Sequence, residues 1–178
     1  MTTTVRPAVP EDVDAVADVH VRSWRWAYAD LLPDDLLAGL RAEDRVPQWQ
    51  RWIESADPGR ALLLADMDGA VVGFVAVGAG REQVGGPEVG ELMAIYVVPA
   101  VAGTGTGRAL HDAGLAWLMD RGFTHARLWV LSSNARARGF YERMGWRADG
   151  ETRVETIGVE VEETRYGLDL TPADGAGR

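Results

Sequence analysis

A glycine-rich run, Val97-Val98-Pro99-Ala100-Val101-Ala102-Gly103-Thr104-Gly105-Thr106-Gly107-Arg108, carries the most specific chemistry in this sequence. It joins a strand-like segment to a helix-like one, and the first amides of a helix have no partner within it. Glycines let the backbone approach a ligand closely and the helix dipole attracts anions, so the run can cradle phosphate oxygens and would suit a pyrophosphate. The competing reading is a flexible β–α connection in a chain with 21 glycines. Just upstream, Glu91 opens a strand, and period-two alternation puts it on one face with Met93 and Ile95. A carboxylate at the edge of an apolar sheet could take a proton from an ammonium group, directly or through water, especially if partial burial raises its pKa. A solvated strand-start acid is the plainer alternative. His20, near the end of the first helix, and His111, taken as a surface helix residue, are weaker candidates.

Composition removes several classes of chemistry. There is no cysteine, and all 18 basic residues are arginine. A cysteinyl-acyl intermediate, a lysine Schiff base and the lysine of an ATPase P-loop are therefore excluded. With 27 acidic against 18 basic residues the formal charge is -9, which disfavours a nucleic-acid backbone and favours a cationic or amine-bearing partner. No basic start followed by an apolar run opens the chain, and no segment approaches the roughly 20 apolar residues of a membrane helix. A cytoplasmic protein that binds neither nucleic acid nor membrane is expected.

These groups must be positioned by elements legible from spacing. Residues 3–8 suit a short strand, and Pro10-Glu11-Asp12 opens a helix whose Val13, Val16, Ala17, His20, Val21 and Trp24 recur at helical spacing. That helix is expected to end near Trp24. Pro33 and Pro47 open two shorter helices, one with Leu36, Leu37 and Leu40, the other with Trp49, Trp52 and Ile53. Residues 61–65 and 70–77 are β-rich runs joined across Asp68-Gly69, a strong hairpin signal. A loop over 78–87 leads to a strand over 91–98, and a helix over 107–120 follows the glycine run. A strand over 127–131, a helix over 134–144 and a strand pair over 146–156 and 159–170 complete an α+β domain. At 178 residues the length suits one domain, over 1–170, with 171–178 as a frayed tail. A Rossmann reading fails, because the glycines come mid-chain and hairpin strands precede them.

Two motifs in the same order resemble the GNAT superfamily of N-acetyltransferases. Residues 91–99 followed by Gly103-Thr-Gly-Thr-Gly-Arg-Ala-Leu110 look like the family's acetyl-CoA motif. Asn134-Ala-Arg-Ala-Arg-Gly-Phe-Tyr-Glu-Arg-Met-Gly-Trp146 resembles its second motif, with Ala137, Phe140 and Tyr141 in register. The resemblance implies a mixed, mostly antiparallel central sheet with splayed central strands, flanked by helices. It also implies acetyl-CoA as cosubstrate and a primary amine, on a small molecule or peptide, as acceptor. One departure is Ala102, where the family usually has glutamine or arginine; Arg108 is the nearby candidate to compensate.

Acetyl transfer from a thioester to an amine needs a neutral amine, support for charge on the carbonyl oxygen, and protonation of the leaving thiolate. By resemblance, the backbone amides of Ile95 and Val97 hold the pantetheine arm and thioester carbonyl, and Gly103, Thr104, Gly105, Thr106, Gly107 and Arg108 receive the phosphates. Asn134 bonds the pantetheine while also suiting a helix cap. Tyr141, a phenol with an ordinary pKa near ~10, is the general-acid candidate, with core packing as its alternative role. Glu91 is the candidate base. Trp24, Trp26 and Tyr28 cluster after the first helix, where the family builds its acceptor pocket, and Trp26 and Tyr28 could hold an amine by cation–π contact. No metal site is expected, and a homodimer is the expected assembly. The reading from another class is a catalytically idle acyl-CoA sensor or protein-interaction module, suggested by Ala102.

Overall fold

The Asp68-Gly69 turn forms as the sequence requires, with φ of 54° and 84°, both left-handed as a two-residue hairpin needs. It joins β2 (Arg60–Met67) to β3 (Ala70–Ala79) in a computed structural model that describes residues 3–55, 57–80 and 88–171. The expected loop residues 81–87 and tail residues 172–178 lie outside the described residues. With β1 (Thr3–Pro7), β4 (Val89–Val97), β5 (His125–Leu131), β6 (Arg147–Thr156) and β7 (Glu160–Asp169), these strands make one sheet in the order β1-β2-β3-β4-β5-β7-β6. Pairing is antiparallel except between β4 and β5. The mixed sheet with helices on both faces is the expected α+β architecture.

The helices differ from expectation mostly at their ends. Residues Pro10–Asp12 form a short 3₁₀ turn, anchored by Asp12, which accepts the Val9 amide at 2.9 Å and the Arg6 guanidinium at 2.7 Å. Helix α1 (Val13–Ala27) then continues past Trp24, because no glycine or proline intervenes before Pro33. Trp24 and Trp26 therefore lie in the helix rather than after it. Helices α2 (Asp34–Ala38) and α3 (Val46–Glu54) follow, then α4 (Thr106–Asp120) and α5 (Ala135–Arg143).

Strand alternation gives the sheet two apolar faces. Val75, Val77, Leu92 and Leu128 meet Leu110 and Leu118 of α4 together with Tyr141 and Trp146. On the other face Leu64, Phe74 and Ala76 meet Val16 and Val19 of α1 and Trp49 of α3. A third cluster joins Tyr28, Leu32 and Leu37 to Leu131, with Ile157, Val159 and Val161 of the β6–β7 hairpin packed against it.

Both candidate histidines are core residues. His111 is 3% exposed, not a surface residue as expected. It shares a stripe with Gly114 and Leu118 at helical spacing, and its Nε2 accepts the Trp146 indole N–H at 2.9 Å. His20 sits mid-helix rather than near its end, with Nδ1 accepting from the Trp49 indole at 3.0 Å and its ring stacked on Tyr96. Burial, assisted by the Arg45 charge, lowers its pKa to about 4, so it is neutral near pH 7.

Candidate active site where the central strands part

Strands β4 and β5 ladder only at Val89↔His125, Gly90↔Ala126 and Glu91↔Arg127. Beyond Glu91 they separate, and a bulge marks the departure: Val77 faces Leu92 while Ala76 faces Ala94, leaving Met93 as the extra residue. The bulge resets the alternation. Leu92 and Ile95 pack on the α4 side, whereas Met93 and Ala94 pack on the α1 side. Glu91 therefore does not share a face with Ile95, which corrects the expectation from strict period-two spacing. Glu91 is 5% exposed and lines neither of the two cavities at the parting.

The same strand presents the backbone donors. The Val98 amide donates to Val72 O at 2.9 Å, toward β3. Backbone groups alternate direction along a strand, so the amides of Val97 and Ile95 point the other way, into the gap that β5 has vacated.

The larger cavity, about 520 Å³, is lined by Ile95 to Val97, the glycine run, and α5 residues Asn134, Ala137, Phe140 and Tyr141. Gly103 and Gly105 have φ of 79° and 97°, left-handed values that glycine adopts without a Cβ clash. Helix α4 starts at Thr106, so the amides of Thr106, Gly107 and Arg108 lie in its first turn, where no intrahelical carbonyl reaches them. Gly103, Gly105, Gly107 and Arg108 line the cavity. Thr104 and Thr106 are not in its lining; their hydroxyls lie 3.1 Å from each other, and Thr104 donates to Val101 O. Ala102 also lines the cavity, but Arg136 and Arg143 join Arg108 around it. Sequence reasoning missed these two arginines. Their spacing with Phe140, at i, i+4 and i+7, marks one helix face and could have found them.

The smaller cavity, about 190 Å³, lies between the parted strands, with residues of both β4 and β5 in its lining. Its lining includes Trp24, Tyr28, Met93, Tyr96, Trp129, Leu131, Ile157 and Glu163. Tyr28 belongs here, but Trp26 lines the larger cavity, with Arg136 stacked 4.2 Å over its ring. Residues two apart on a helix do not face each other, so the expected Trp26–Tyr28 pair is divided.

Ala27, Ile95, Tyr96, Asn134, Ala137 and Tyr141 line both cavities, and so form the wall where they meet. Asn134 caps α5, its Oδ1 accepting the Ala137 amide at 3.0 Å, which leaves its NH₂ end for a ligand. Tyr141 is 8% exposed, and burial, followed by the neighbouring Tyr96, raises its phenol pKa above the ordinary value. Burial likewise raises Tyr28 and Tyr96, with the Glu163 charge contributing to both. These phenols keep their protons at neutral pH. The arrangement offers an anion cradle, a line of backbone donors, and a buried proton donor between two chambers.

The acetyltransferase (GNAT) family model matches residues 15–146. An uncharacterised N-acetyltransferase of Bacillus subtilis strain 168 is 33% identical over 164 residues, which cover 92% of this chain and 91% of that protein. A mycothiol acetyltransferase of Amycolatopsis mediterranei strain U-32 is 34% identical over 158 residues, 86% of this chain but 47% of that protein. The crystal structure of the PaiA N-acetyltransferase of Thermoplasma acidophilum in complex with coenzyme A has the same fold, with a TM-score of 0.77 at 19% identity. The match covers 95% of this chain and 99% of that one.

Proposed function

The chain belongs to the GNAT acetyltransferase family, and from that premise we propose that it transfers an acetyl group from acetyl-CoA directly to a primary amine of a small molecule or peptide. The observation that carries this reading is the shared wall: a phosphate-suited chamber and an aromatic one meet at Tyr141 and Ile95.

The chain's residues fit the cosubstrate. Amides of the Gly103 to Arg108 turn would receive the pyrophosphate at a helix N-terminus, with Arg108, Arg136 and Arg143 adding the positive charge that Ala102 lacks. The amides of Ile95 and Val97 and the NH₂ of Asn134 would hold the pantetheine arm and polarise the thioester carbonyl. Acetyl-CoA supplies the activated acyl carbon when bound. As the C–N bond forms and the C–S bond breaks, Tyr141, kept protonated by burial, donates its proton or a hydrogen bond to the departing sulfur, and the nitrogen releases its own proton to solvent.

Calorimetric titration with acetyl-CoA tests the first half of the proposal. Saturable one-to-one binding is expected, at least tenfold tighter than that of ATP or NAD, which share the pyrophosphate but lack the pantetheine arm that the Ile95 and Val97 amides would hold. Absence of binding at millimolar acetyl-CoA would remove the reading.

A further inference from the structure

Glu163 lines the smaller cavity, whereas Glu91 does not. Among the described residues the rest of the lining is aromatic, aliphatic, thioether or amide-bearing, so Glu163 is its one charged side chain. On β7, Glu163 pairs across the sheet with Leu131, a wall residue, and Val161 two residues earlier packs in the cluster around Tyr28. Alternation thus directs Glu163 to the chamber side.

Its orientation is held from outside. Arg153, opposite it on β6, donates through Nε and also approaches through a terminal nitrogen, both at 2.8 Å from the same oxygen, Oε2. The guanidinium stacks 4.3 Å over Trp129, another wall of the chamber. Arg153 also lies 3.9 Å from Glu155. The Glu163 side chain is only 14% exposed, so water screens it weakly and a cation entering the chamber would feel it strongly.

Resting on the transferase reading above, we propose that Glu163 is the residue that selects the acceptor: it captures the ammonium group of a protonated primary amine carried on a short apolar stem, which loses its proton to solvent before the neutral nitrogen attacks the thioester. Arg153 is a positioning residue that holds the carboxylate against the chamber. Tyr28, Tyr96 and Trp129 contact the stem. A chamber of about 190 Å³ holds roughly six groups of water size at ~30 Å³ each, so linear amines of about that many heavy atoms fit inside, and larger acceptors leave their remainder outside.

The test uses the full chain with pentylamine, 1,4-diaminobutane and 2-phenylethylamine as acceptors, following thiol release from acetyl-CoA. Glu163→Gln is expected to raise KM for the best of the three at least tenfold, with kcat within about threefold and acetyl-CoA affinity by calorimetry unchanged. An unchanged KM overturns the proposal while leaving the transferase reading standing. Failure of the wild type to release thiol with any of the three overturns the acceptor assignment; unchanged acetyl-CoA binding in the same sample separates that from failure of the cosubstrate site. Should Glu163→Gln fail to fold, the wild type alone decides. With 1,4-diaminobutane or 2-phenylethylamine as the acceptor, 1-pentanol must inhibit at least tenfold more weakly than pentylamine competes, and equal potency overturns the assignment.

Discussion

Tyr141→Phe is expected to fold, to bind acetyl-CoA with wild-type affinity, and to turn over about 10²- to 10⁴-fold more slowly, the usual worth of a positioned general acid. The substitution removes one oxygen from a residue that is 8% exposed and lines both chambers, and the ring remains to pack against Phe140 and Trp146. Loss in kcat with KM and cosubstrate affinity intact separates proton donation from packing. The raised phenol pKa adds a pH signature. An ordinary tyrosine is about a quarter ionised at pH 9.5, so a general acid of normal pKa would begin to lose rate there. Because Tyr141 is shifted upward, the wild-type kcat should show no such decline through pH 9.5. A variant with kcat within twofold of wild type would assign Tyr141 to packing.

Gly105→Val should weaken acetyl-CoA binding by about a hundredfold or more, since each hydrogen bond to a charged group is worth roughly 1.5–3 kcal/mol and the turn aims several amides at one anion. Nothing lies within 4 Å of where the new Cβ would stand, so packing does not oppose the change. The backbone does. A φ of 97° is closed to a β-branched residue, and relieving it must move the residue that caps α4, and with it the amides of Thr106, Gly107 and Arg108. The isopropyl group would also stand in the chamber that Gly105 lines. Calorimetry on the folded variant checks this, and an affinity within threefold of wild type would contradict the cradle.

The legible parts of the molecule were those governed by local rules. The Asp68-Gly69 hairpin, the glycine turn before α4 and the Asn134 cap each follow from what a few adjacent residues can do with their backbone. The Glu91 face was misread because alternation holds only along a regular ladder, and the bulge at Met93 is set by where β4 leaves β5, a relation between distant segments. His111 was misplaced for a similar reason: its partner Trp146 lies 35 residues away. Glu163 was hidden in an acidic run that resembles a solvated strand face, and only the closure of the β6–β7 hairpin over Tyr28 and Leu37 turns that face into a chamber wall. Arg136 and Arg143 were within reach of helical spacing alone.

The most direct measurement of the central claim is thiol release from acetyl-CoA by the wild-type chain across a panel of primary amines, with the organic product identified by mass spectrometry. The account predicts that at least one small primary amine gains a single acetyl group, with one free thiol released per amide formed. It also predicts that acetyl-CoA incubated without amine leaves no acetyl group on the protein. An acetylated protein intermediate would contradict direct transfer, and saturating acetyl-CoA binding with no amine acetylated across the panel would contradict the transferase reading itself.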